Sequence, residues 1–194
     1  MEIKAHSDMK IKRLAQSGLI AGLYVLLTLV SFAFGLANGA VQVRISEALC
    51  ILPVFTSAAV PGLFAGCFLA NLLTGCSMVD VVAGSLTTLA AAYLTRVLAG
   101  KTGLLRKHEK KESPTAGMEE NHTAQMIKVF FCTLPPVVLN AIVVPLLCKY
   151  VYGTNGALLF FVGTVALGEL ISASGLGMLL YRWVRKNTDR LGLK

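Results

Sequence analysis

Eight polar side chains stand out against long apolar runs, and they are where chemistry can sit: Gln42, Arg44, Glu47, Asn71, Asp80, Ser85, Asn140 and Glu169. Three are carboxylates, one is a guanidinium, and the rest are neutral donors and acceptors. No HExxH, GxSxG, P-loop or CxxC pattern accompanies them. The set therefore suits recognition of a polar molecule rather than hydrolysis, redox work or direct use of ATP. The acids fit a small ligand with several N–H donors or a positive charge. The three histidines, His6, His108 and His122, lie outside the apolar runs, so no buried histidine metal site is expected. The five cysteines lie in or beside apolar segments without a CxxC pair, as small hydrophobes do. No metal and no cofactor is expected.

The elements that must position these groups are membrane helices. Of 194 residues, 55% are hydrophobic and 14% charged, against about 25% charged in a soluble domain. Mean hydropathy is +0.69. A spanning helix needs about 20 mostly apolar residues. The runs predict an all-α polytopic fold, one membrane domain over 1–194, with spans near 14–37, 45–57, 58–74, 78–99, 124–152 and 157–183. The first run is longer than the apolar core of a signal peptide and reads as a span. The second is short and holds Pro53. The fifth is expected to break at Pro135-Pro136 and at Pro145. The polar stretch 100–123 reads as a flexible loop.

Net charge is +8, gathered in three clusters. The head has Lys4, Lys10, Lys12 and Arg13. The central loop has Lys101, Arg106, Lys107, Lys110 and Lys111. The tail has Arg182, Arg185, Lys186, Arg190 and Lys194. Such clusters anchor cytoplasmic ends against anionic lipid, which disfavours nucleic acid as a partner. Six spans put all three clusters on one side with both termini cytoplasmic. Five would leave the central cluster outside.

That topology sends Arg44, Glu47, Asn71 and Asp80 toward the outer side. Glu169 lies twelve residues into the last span, about 18 Å deep, and Asn140 also reaches the middle. Together they could line one outward cavity. Plainer readings stand beside this one. Arg44 and Glu47, spaced i, i+3, can form an interfacial ion pair. Asp80 can cap a helix start. Asn71 and Asn140 can bind helices together. Glu169, the deepest, is hardest to explain without a ligand. In the first helix Ser17/Ala21 and Gly18/Gly22 form small-xxx-small pairs that permit close helix approach.

The segment Gln42-Val43-Arg44-Ile45-Ser46-Glu47-Ala48-Leu49, with Leu52-Pro53 behind it, resembles the QueT family. So do Gly62-Leu63-Phe64-Ala65-Gly66-Cys67 with Ala70-Asn71-Leu72, and the stretch from Asp80 to Leu89. The likeness covers most of 13–183, is most specific over 42–89, and leaves out 100–123. It implies a six-helix substrate-binding S component of an energy-coupling factor (ECF) transporter in the cell membrane, not an enzyme. Such a protein docks on a membrane coupling subunit driven by two ATPase subunits. It implies a 7-deazaguanine substrate such as preQ1 or queuine. Glu47, Asp80 or Glu169 would meet the N1–H and 2-amino edge or the aminomethyl cation, with Arg44 or an Asn at the carbonyl. Ser17, Gly18, Ala21 and Gly22 occupy the place of the family's Ala-xxx-Ala docking face. The alternatives are an S component for another heterocycle, a membrane scaffold or assembly protein, and a stand-alone secondary carrier.

Overall fold

A computed structural model describes residues 2–36, 42–105 and 122–191. Positions 106–121 of the expected flexible loop lie outside the described residues, as do 37–41 between the first two expected spans. Among the described residues every regular element is helical. We label α1 Glu2–Ala33, α2 Ala59–Leu73, α3 Met78–Lys101, α4 His122–Tyr150, α5 Leu158–Lys186 and α6 Thr188–Leu191. A 3-10 helix, Ile45–Val54, stands between α1 and α2. Four helices are long and apolar enough to cross a membrane, while the 3-10 helix and α2 are shorter apolar ones. Large apolar side chains point outward on the long helices, Leu19 at 76% and Leu159 at 81% exposure among them. A surface of this kind has lipid as its solvent.

The weak second span is the centre of the molecule. The helices pack in chain order, α1 on α2, α2 on α3, α3 on α4 and α4 on α5, and the 3-10 helix touches all five. Ser46 to Val54 are buried throughout. Runs of 3-10 helix beyond three or four residues are uncommon, so this one needs outside support. α1 supplies it with polar groups at Tyr24, Thr28 and Ser31, spaced along one face. Ser31 Oγ accepts from Ile45 N at 3.0 Å, and Thr28 Oγ1 donates to Ser46 Oγ at 2.8 Å. Tyr24 Oη donates to Glu47 Oε1 at 2.5 Å. At the other end Ser17 Oγ donates to Ala58 O at 2.8 Å. Arg96 of α3 donates to Pro53 O at 2.8 Å, at the negative end of the 3-10 helix.

These anchors also show how far the segment travels. Its two ends meet α1 at Ser31 and Ser17, which lie about 21 Å apart at 1.5 Å per residue. Ten residues at about 2.0 Å each cover nearly the same distance. The short segment thus brings the chain back along α1, and α2 then runs parallel to α1. Two ends result. One, the basic end, carries Lys10, Lys12, Arg13, Lys101, Arg182, Arg185 and Lys186. The other carries 34–36, 42–44 and the connections 74–77 and 151–157.

Three expectations need correction. α1 starts at Glu2 and ends at Ala33, earlier at both ends than 14–37. The segment 45–57 is a 3-10 helix of ten residues rather than a spanning α-helix. α4 runs unbroken through Pro135, Pro136 and Pro145. A proline lacks the N–H that would bond four residues back, so Pro136 frees the carbonyl of Cys132. Thr95 Oγ1 of α3 donates to that carbonyl at 3.0 Å. A neighbouring hydroxyl takes the place of the missing donor, as spanning helices allow. The last helix runs Leu158–Lys186, against the expected 157–183, and is π-helical over Leu170–Leu176.

Candidate functional site

At the end opposite the basic one, a cavity of about 370 Å³ opens between the connections. Phe32, Gln42, Arg44, Cys76, Asp80 and Tyr152 line it, with Val144, Leu147 and Cys148 of α4 as an apolar wall. Local chain chemistry places each polar group. Arg44 is the residue before the 3-10 helix and has extended backbone, so its side chain leaves the helix face that Glu47 occupies. Ser77 begins α3 and accepts from Asp80 N at 3.2 Å, which sets Asp80 in the first turn of the helix. Asp80 Oδ2 in turn accepts from Tyr152 Oη at 2.7 Å, and that hydroxyl accepts from Ser77 N at 3.1 Å. The turn before α3 and the loop after α4 are thereby latched at the cavity mouth. Gly75, at φ +75°, permits the tight turn. Partial burial, and then the bond to Asp80, raise the Tyr152 phenol above its ordinary pKa, so it remains a donor at neutral pH.

Gln42 reaches inward through its backbone. Its carbonyl oxygen lies 2.1 Å from where a Cβ on Gly168 would stand. Only glycine leaves room for that approach. The strand-like stretch before the 3-10 helix therefore rests on α5 beside Glu169. Glu169 is 7% exposed, and its Oε1 accepts from Asn140 Nδ2 at 2.8 Å. Its other oxygen, Oε2, is buried without a hydrogen-bond partner. Among native structures such an orphan is infrequent, and each one needs a reason.

The other expected site residues divide. Glu47 is 2% exposed, and its oxygens are taken, Oε1 by Tyr24 and Oε2 by Cys50 Sγ at 3.1 Å. These partners, rather than Arg44, are its hydrogen-bond donors, so the expected Arg44–Glu47 pairing gives way to a buried cluster. Asn71 Nδ2 lies 3.6 Å from Cys67 Sγ. It and Asp80 Oδ1 flank Gly84, 3.0 and 3.4 Å from the place of a Cβ. Ser85 spends its hydroxyl on Val82 O at 3.0 Å and does not line the cavity. Gln42, Arg44 and Asp80 thus meet at the cavity, while Asn140 and Glu169 pair deeper, beside its inner edge. Tyr24, Cys50, Cys67, Thr88 and Tyr152 join the polar network unforeseen. A phenol midway along an apolar helix was the legible sign at Tyr24. Tyr152 carried none, since interfacial tyrosines are common.

The small residues of α1 also divide. Ser17 and Ala21 face α2, where Gly62 and Gly66 leave no room for a side chain: a Cβ would stand 2.8 Å from Ser17 O and 3.0 Å from Ala21 O. Gly18 and Gly22 are exposed, with nothing within 4 Å of a Cβ. Ile11, Leu14 and Leu26 are exposed with them.

The family described as QueT transporter matches residues 14–186. The queuosine precursor transporter QueT of Lactococcus lactis subsp. cremoris (strain MG1363) is 29% identical over 154 residues, covering 79% of this chain and 81% of that protein. No solved structure matches. With the match running from the first helix to the end of α5, this multi-pass membrane protein belongs to the QueT transporter family.

Proposed function

We propose that the chain is the S component of an ECF transporter and binds a 7-deazaguanine queuosine precursor at the latched end. The observation that carries this reading is the orphan oxygen Oε2 of Glu169, whose other oxygen Asn140 holds, beside the Gln42–Arg44 stretch that lines the cavity. A guanine-like edge presents adjacent N–H donors, which a carboxylate oxygen accepts. Asp80 at the mouth suits the aminomethyl cation of preQ1, and Arg44 or Asn140 the base carbonyl. The relative's role as a queuosine precursor transporter supports the substrate class. In this account the chain crosses the cell membrane six times, counting the 3-10 helix, with both termini cytoplasmic and the cavity outward. Cysteines placed at Lys107 and Gly153 should label from opposite sides. Labelling of both from one side would exclude the six-crossing arrangement.

An S component cannot accumulate substrate without its partners. Membrane vesicles holding this chain, the coupling subunit and both ATPase subunits should concentrate labelled preQ1 when given ATP. Vesicles holding the chain alone should not, and accumulation there would mark a stand-alone carrier.

The open face of α1 fits the docking role better than the packed one. Gly22→Leu places its side chain in open space. It should leave ligand binding intact, yet abolish co-purification with the coupling subunit and at least tenfold of transport. Gly66→Ala should instead weaken the fold, because its Cβ meets Tyr24 Cβ at 2.7 Å. Assembly of the Gly22→Leu protein at wild-type yield would remove the docking assignment.

A further inference from the structure

At the basic end, two cavities between α4 and α5 share one residue, Arg182. The upper one is lined by Tyr181, Arg182, Arg185 and Lys186 together with Met126. The lower one, of about 430 Å³, is an apolar groove along Phe130, Leu170, Gly175, Met178 and Leu179 that ends at Arg182. Neither is lined by an acid. From Leu170 to Arg182 the groove follows twelve residues of helix. Its deeper part is the π-helical section of α5, whose wider turn leaves exposed Gly175 as a notch in the outer surface. The Ser174 hydroxyl is already engaged, since Thr133 Oγ1 donates to it at 2.9 Å.

One of the cations above the groove, Arg185, is held in place. Arg185 Nη1 donates to Gln125 Oε1, and Gln125 Nε2 donates to Tyr181 Oη at 3.2 Å. Gln125 is 5% exposed and Tyr181 fully buried. A buried amide and a buried phenol thus fix the guanidinium at the rim of the cavity. Three cations over an apolar slot, at the level where the helix leaves the bilayer, match one kind of molecule: an anionic head attached to a hydrocarbon chain. A solvated row of interfacial lysines and arginines would need neither the slot nor the Gln125–Tyr181 tether.

We propose that the α4–α5 groove is a binding site for an anionic phospholipid, with its phosphate at Arg182 and Arg185 and one acyl chain along Gly175 and Met178. The site lies apart from the cavity assigned to substrate, and the two stand or fall separately. Native mass spectrometry of the full chain in detergent tests it, with phosphatidylglycerol, phosphatidylcholine and inorganic phosphate as probes. One phosphatidylglycerol should be retained, about tenfold or more tighter than phosphatidylcholine. The Arg182→Gln/Arg185→Gln double variant should lose that preference. Gly175→Leu, which fills the notch from an exposed position, should weaken both lipids about equally and keep the preference. Equal retention of the two lipids by the wild-type chain would overturn the proposal. So would displacement of phosphatidylglycerol by inorganic phosphate at matched concentration, or unchanged lipid binding in both variants. Loss of coupling-subunit association in the double variant, with phosphatidylglycerol binding unaltered, would assign the cations to a protein partner and overturn it as well.

Discussion

Gly168→Ala is expected to cripple substrate binding while changing one methyl group. The added Cβ would stand 2.1 Å from the backbone carbonyl of Gln42, far inside contact distance. A flexible side chain could yield, but this neighbour is main chain, tied to the start of the 3-10 helix. Either α5 moves outward or the 42–44 stretch lifts. Overpacking of a close helix contact costs about 1–3 kcal/mol. In both cases the 42–44 stretch and α5 separate, and Glu169 loses the backbone beside it. Ligand affinity should fall by about 100-fold or more, and the melting temperature in detergent should drop. Gly163→Ala is the control on the same helix, because nothing lies within 4 Å of its Cβ. It should behave as wild type in both measurements. Equal binding by the Gly168→Ala protein would mean that the 42–44 stretch does not shape the site.

Glu169→Gln is expected to weaken binding by about 10- to 100-fold with the fold intact. The exchange keeps the shape and the acceptor that Asn140 uses. It places an amide donor where the unpartnered oxygen now is. Hydrogen bonds to a charged group contribute roughly 1.5–3 kcal/mol, and 1.4 kcal/mol is tenfold in affinity. Equilibrium binding of preQ1 and a monodisperse elution profile together decide the matter. Wild-type affinity would place the site elsewhere, with Asp80 and Asn71 next in line. Aggregation would show that the Asn140–Glu169 pair holds α4 to α5. Glu47 is no longer an equal candidate, since both its oxygens are committed within the protein. Glu47→Gln should disturb the α1 anchorage before it disturbs recognition.

The sequence made the solvent legible, because long apolar runs and few charges leave no other reading. It also marked the residues that lipid would not tolerate without cause, and Glu169 with Asn140 is the clearest case. The second element was legible only as an anomaly, too short for a span and holding Pro53. A 3-10 helix gains about a third more rise per residue than an α-helix, so length counted in α-helical residues understated its reach. Proline likewise predicted breaks in α4, yet the helix runs through, and at Pro136 a distant hydroxyl, Thr95, takes up the freed carbonyl. Spacing alone paired Arg44 with Glu47, because it presumed an α-helix already begun at Arg44. The extended backbone there sends the two side chains to different partners. On α1 the pattern offered two registers of small residues. Only the facing glycines of α2 show which one is occupied within the chain and which one is open.

Calorimetric titration of the purified chain, free of coupling and ATPase subunits, with preQ0, preQ1 and queuine tests the central claim most directly. A binding subunit with an acidic, outward site predicts saturable one-to-one binding of at least one of the three. It predicts preQ1 to be weakened by Asp80→Asn and by Glu169→Gln. Heat signals indistinguishable from buffer for all three compounds, from protein that is monodisperse and helical, would contradict the account.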